Sequence, residues 1–297
     1  MKKISIVGAP MWLGQNYFGS NLGPEAIRAA GLLDKLHEIS DDIVDLGNIA
    51  VSIHEEKTMT CMENYKIKNL ESVQNALEIL AESVSDIVSA RRFPLVLGGD
   101  HSVAIGTLAG VAKHYHNLGV IWCDAHADSN TDKLSPSGNI HGMSMAASLG
   151  MGNAALVKVG GYKHKIKPEH VVFIGLRDMD TAEEKLVKGL PVKIYRVEDV
   201  AEKGIERVMD ETVKYLSAKC DGIHLSFDLD VMDPREICGV GTPVENGIGF
   251  HTMQKAMQNL AGCAKLTSAE FVELNPLLDH GGATVMAALT LIRALFK

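Results

Sequence analysis

Eight short apolar runs alternate with amphipathic stretches along the whole of this 297-residue chain, and no other feature narrows its possible folds as much. Ile4–Gly8, Ile43–Leu46, Pro94–Leu97, Gly119–Cys123, Val171–Gly175, Val192–Tyr195, Gly222–Phe227 and Thr267–Val272 have the length and composition of strands. Helical patterns fill the gaps: Pro24–Leu36, Leu70–Ala90, Ser102–Tyr115, Ala182–Lys188, Ile205–Ala218, Thr252–Ala261 and Ala283–Leu295. Alternation on this scale predicts an α/β fold with a mainly parallel sheet and helices on both faces. No linker, repeat or low-complexity tract interrupts it, so residues 1–297 are read as one domain.

Composition removes several classes of function. A net charge of −8 without any dense Lys/Arg run argues against a nucleic-acid surface. No apolar stretch approaches membrane-spanning length, and Ile4–Gly8 is too short for a signal-peptide core. The five cysteines Cys61, Cys123, Cys220, Cys238 and Cys263 are odd in number, widely spaced and without a C-x-x-C pair. That usage fits a reducing, cytoplasmic setting, with neither a disulfide framework nor a zinc-thiolate site.

Ligands of parallel sheets bind beyond the carboxyl ends of the strands, and the polar clusters of this sequence fall there. Asp124, His126 and Asp128 follow the run ending at Cys123, two positions apart. Asp228 and Asp230 follow Phe227, and His101 follows a Gly98-Gly99-Asp100 turn after Leu97. In an extended chain, i, i+2 and i+4 point to one side, so each segment is expected to gather its donors on one patch. Carboxylates packed so closely repel one another and resist burial unless a cation joins them. Six donors, two imidazoles and four carboxylates, exceed what one catalytic zinc uses and suit two divalent ions sharing carboxylates. Oxygen-rich ligation with some imidazole favours two Mn²⁺, with Co²⁺ or Fe²⁺ as substitutes. Asp100 is assigned to supporting hydrogen bonds or a helix cap.

These residues resemble the ureohydrolase family, which includes arginases, agmatinases, guanidinobutyrases and formiminoglutamases. The resemblance runs from Gly8-Ala9-Pro10 and Leu22-Gly23-Pro24 through the three clusters to Gly239-Val240-Gly241-Thr242-Pro243 and Glu270-Phe271-Val272-Glu273-Leu274-Asn275-Pro276. It implies a three-layer αβα arginase/deacetylase-like fold and a two-manganese site. The stretch from Asp128-Ser129-Asn130 to Ser137-Gly138-Asn139-Ile140-His141 is similar to the arginase branch, with L-arginine as substrate and ornithine and urea as products. On that resemblance Asn130, Ser137 and Asn139 hold the substrate's carboxylate, and Asp180 its α-amino group, with Glu183 nearby in the substrate site. Glu273 pairs with the guanidinium and Thr242 adds a hydrogen bond. A metal-bridging hydroxide attacks, Asp128 carries a proton to the leaving amine, and His141 shuttles protons to solvent. Homotrimers or homohexamers are the assemblies implied; the C-terminal helix fits packing between subunits or within one. The rival readings are an agmatinase- or guanidinobutyrase-type ureohydrolase and a non-catalytic arginine-binding protein. Asp132, Ser144 and Cys238 stand where the family commonly has Pro.

Overall fold

A computed structural model describes residues 2–53 and 67–297; Cys61 lies outside them. All eight apolar runs form strands: β1 (Ile4–Ala9), β2 (Ile43–Asn48), β3 (Phe93–Gly98), β4 (Leu118–Cys123), β5 (Val171–Leu176), β6 (Lys193–Arg196), β7 (Gly222–Asp228) and β8 (Leu266–Val272). Among the described residues they make one eight-stranded sheet in the order β2-β1-β3-β8-β7-β4-β5-β6. Every neighbouring pair is parallel. β1, β3, β4, β5 and β7 are buried at every residue, as a sheet covered on both faces requires. The edge strand β2 instead alternates half-buried and exposed positions.

The pleat of the strands separates two cores. Leu95, Leu97, Ile121 and Cys123 enter one, beneath helices Ile205–Ser217, Phe250–Ala261 and Ala283–Phe296. Val96, Val120 and Trp122 enter the other, beneath helices Leu70–Ser89 and Val103–Ala112. Three layers, αβα, are the result, each fully buried large apolar side chain contributing roughly 1.5–3 kcal/mol. The helix expected over Pro24–Leu36 is two helices, Gly23–Ala29 and Leu32–His37. Gly31 between them has φ 95°, a left-handed conformation that ends the first helix before the second begins. The C-terminal helix packs within the chain: Leu291, Ile292 and Leu295 are buried, and Arg293 reaches Glu38 at 2.7 Å. Among the described residues, no helix is long and apolar enough to cross a membrane.

The strands that precede the polar clusters are β3, β4, β7 and β8. They are contiguous in the sheet, as β3-β8-β7-β4, although some 170 residues separate the first from the last in the chain. Parallel pairing sends all four carboxyl ends to one edge.

Candidate active site

Turns, and not the strand pleat, bring the clustered side chains together. β4 stops at Cys123, one residue before Asp124. The chain then curls around the Asp124 carboxylate, whose Oδ1 accepts the His126 N–H at 2.6 Å, and Asp128 adopts a left-handed φ of 46°. β7 ends at Asp228, and a short 3-10 turn, Leu229–Val231, follows. There Asp228 Oδ1 accepts the Asp230 N–H at 2.8 Å. The expectation of extended segments is therefore corrected: the spacing is right, but each carboxylate is aimed by folding its own loop onto its oxygens. The helix after β3 runs over Val103–Ala112, within the expected Ser102–Tyr115. Asp100 braces that turn, accepting from Gly14 N at 2.8 Å and from Ser102 N at 3.0 Å. A Cβ on Gly99 would sit 1.9 Å from Met11 O, so glycine there lets the segment after β1 cross the turn.

The donors converge in two overlapping groups, His101–Asp124–Asp228 and Asp124–His126–Asp230. His101 Nδ1 lies 3.0 Å from Asp124 Oδ2, 3.0 Å from Asp128 Oδ2 and 3.1 Å from Asp228 Oδ2. His126 Nδ1 lies 3.1 Å from Asp230 Oδ2 and 3.4 Å from Asp124 Oδ1. Asp124 thus turns one oxygen to each group. All four aspartates and His101 are buried. His101 Nδ1 has no hydrogen-bond partner, although three carboxylate oxygens surround it. A buried nitrogen ringed by carboxylates could hold a cation in place of its proton, and the residues present fit two divalent ions.

A buried chain of side chains fixes which nitrogen His101 offers. Its Nε2 is 2.8 Å from Ser226 Oγ, Ser226 donates to Glu270 Oε1 at 2.7 Å, and His224 Nε2 is 3.4 Å from that oxygen. With Nε2 donating to Ser226, Nδ1 is the nitrogen left to face Asp124, Asp128 and Asp228. Trp122 stacks on His101 at 4.1 Å and donates its indole N–H to Asp124 Oδ2 at 2.9 Å. Ser144 donates to the carbonyls of both His101 and His141.

The cluster draws positive charge. Burial opposes protonation of His101, but Asp124, Asp128 and Asp228 outweigh it and hold the imidazole well above its ordinary value. For His126, burial is outweighed in the same sense by Asp230 and Asp124. Burial pushes Asp228 well up, reinforced by Asp230 and Asp124. Asp124, despite its burial, is held below its usual range by the two histidines.

A cavity of about 290 Å³ opens over this floor, lined by residues that include Asp128, His141, Asp180, Glu183, Asp230 and Thr242. His141 Nδ1 is 3.2 Å from Glu273 Oε1; burial lowers the imidazole, but Glu273, Asp128 and Asp100 lift it to about 9. Glu273 is buried with φ 65°, and it accepts from His101 N at 2.8 Å and from Gln15 Nε2 at 3.1 Å. It stands behind His141, outside the residues that line the cavity. Thr242 donates to Asp230 Oδ2 at 3.1 Å. Asp180 caps helix Thr181–Lys188 through Oδ1 and accepts Asn130 Nδ2 on Oδ2 at 2.9 Å. Glu183 accepts Ser129 N at 2.7 Å; burial, with Asp128 and Asp180, pushes its carboxyl up to about 8. Ser137 and Asn139 lie on the adjoining loop, Ser137 exposed and Asn139 buried, and neither lines the cavity.

Sequence reasoning had not singled out Gln15, Trp122, Ser226, His224 or Lys68. Ser226 and Glu270 sit inside recognisable motifs, and the burial of such polar side chains on central strands is their signal. Gln15 and Lys68 carry none, because only the folded chain brings them near.

A sequence model of the arginase family matches residues 2–297. The arginase of Bacillus caldovelox is 51% identical over 300 residues, covering 100% of this chain and 98% of that protein. Its native structure superposes with a TM-score of 0.95, covering 100% of this chain and 98% of that one. The arginase of Entamoeba histolytica, solved in complex with L-ornithine, superposes with a TM-score of 0.89 at 31% identity, covering 100% and 99%.

Proposed function

This chain belongs to the arginase family and is a hydrolase acting on the amidino group; on that premise we propose that it hydrolyses L-arginine to L-ornithine and urea. One observation carries the reading beyond the family: a single cavity joins the carboxylate–imidazole floor to a mouth bearing Asp178 and Asp180. A guanidinium at the floor and an α-ammonium at the mouth would each meet opposite charge. Two Mn²⁺, or Co²⁺ or Fe²⁺ in their place, held by His101, Asp124, His126, Asp128, Asp228 and Asp230, would supply the Lewis acidity that makes water nucleophilic near neutral pH.

The chain's own residues then position the substrate and move protons. Glu273 and Asp128 give the floor the negative charge that favours a guanidinium. Thr242, with its proton committed to Asp230, leaves lone pairs to accept a guanidinium N–H. Asp128 both faces the donor cluster and lines the cavity, so it can take a proton from the attacking water and deliver it to the leaving nitrogen. His141, held through Nδ1 by Glu273, exchanges protons with solvent through its other nitrogen. At the mouth Asn130, Ser137 and Asn139 offer neutral donors to the α-carboxylate. Family membership also makes a homotrimer or homohexamer the assembly to test by sedimentation.

The test is urea release from L-arginine and agmatine side by side, with Mn²⁺ supplied and with an EDTA-stripped control. Arginine turnover that disappears on stripping and returns with Mn²⁺ supports the proposal. Preference for agmatine would replace it with the agmatinase-type reading, and arginine binding without urea would leave a binding protein.

A further inference from the structure

One lysine ties the Ser137–Asn139 loop to two other parts of the chain. Lys68 Nζ lies 2.9 Å from Asn139 Oδ1 and 2.9 Å from Asn16 Oδ1, and its backbone N–H donates to Gly138 O at 3.1 Å. The neighbouring Asn69 donates to Leu13 O at 2.9 Å, and His141 N donates to Gly14 O at 3.0 Å. Lysine, loop and shuttle histidine therefore share one support, residues 13–16, whose Gln15 also reaches Glu273.

An ammonium only donates hydrogen bonds, so Asn139 must present oxygen to Lys68. Its NH₂ group then faces away from the lysine as a donor, in the sense a carboxylate needs. The other side of the mouth carries the acidic Asp178 and Asp180 and would repel a carboxylate. Neutral Asn and Ser donors supply no countercharge; Lys68 does.

We propose that Lys68 is a specificity-determining residue, which orients Asn139 as a donor and supplies the positive field that selects amino-acid substrates over their decarboxylated analogues. The proposal rests on the reading of the cavity as an arginine site. Lys68 does not touch the carboxylate; it acts through Asn139 and through its charge.

Kinetics of Lys68→Met and Lys68→Arg, with calorimetric binding of L-ornithine and agmatine to the Mn²⁺-loaded proteins, test it. Lys68→Met should raise KM for L-arginine and weaken L-ornithine about tenfold, with kcat and agmatine binding changed by less than about twofold. Lys68→Arg should recover most of the loss, and added salt should narrow the gap between wild type and Lys68→Met. Unchanged arginine and ornithine constants would overturn the proposal. So would equal weakening of ornithine and agmatine, which would mark a loop that has merely lost its shape. Absence of urea from wild-type enzyme with arginine would refute the arginine reading by itself. Ornithine calorimetry still judges Lys68 in that case, and a wild type that binds no ornithine overturns it.

Discussion

At the floor of the cavity, Asp124 is 1% exposed and both its oxygens are engaged: Oδ1 by the backbone and ring of His126, Oδ2 by Trp122 and His101. At the mouth, Asn130 is tied to Asp180 while its own Oδ1 is buried without a partner, and Ser137 stands exposed. The floor hangs from four adjacent strand ends; the mouth is assembled from the loops that follow β4 and β5 and the start of helix Thr181–Lys188. A rigid, redundantly bonded floor suits chemistry that fails when a ligand atom is misplaced. A mouth with an unsatisfied acceptor suits a ligand that must arrive and leave.

The contrast breaks first at the floor. Asp228→Asn should cut Mn²⁺ affinity by more than about 100-fold, the upper range for outer-shell changes, and abolish urea formation in proportion. Calorimetry that finds near-normal affinity would show that the floor does not hold the cations as described.

Affinity for Mn²⁺ should also depend steeply on pH, with the following sign. His101 and His126 hold protons well above the ordinary imidazole value, so at neutral pH a cation must displace them. Affinity therefore rises with pH, by about one log unit per pH unit for each proton released. Titrations in buffers of different ionisation enthalpy count those protons; none released would contradict the assignment of Nδ1 as ligand.

Glu270→Gln keeps the shape of the chain that runs from His224 to His101 but removes its charge. A loss of about 10- to 100-fold in Mn²⁺ affinity is expected, with a changed Mn²⁺ electron paramagnetic resonance spectrum and intact circular dichroism. A variant with unaltered affinity and spectrum would demote the chain to core packing.

The mouth should respond more gently. Asn130→Ala removes one hydrogen bond to a charged group, so KM for L-arginine should rise about tenfold while Mn²⁺ affinity stays level. A matching fall in Mn²⁺ affinity would erase the distinction between the two regions.

Much of this is legible in the sequence, because each floor residue follows its strand within a few positions. Asp124, Asp228 and His101 are marked by a polar residue breaking an apolar run where a parallel sheet must end. The turn geometry was not legible: Asp128 and Glu273 adopt left-handed backbone angles that no residue type there announces. Residue type suggests substrate contact for Thr242 and Asp180, yet they also brace Asp230 and cap a helix. Residue type names the groups available and leaves open which neighbour takes them.

Local chemistry in the sequence determined the sheet, its parallel sense and the donors at its edge, since hydrophobic period and residue type act over a few positions. The tertiary structure alone decided the order β3-β8-β7-β4, the nitrogen that His101 offers and the lysine that reaches Asn139. Those depend on contacts between residues 70 to 170 positions apart, whose geometry is set by packing of the whole chain and carries no local periodic signal.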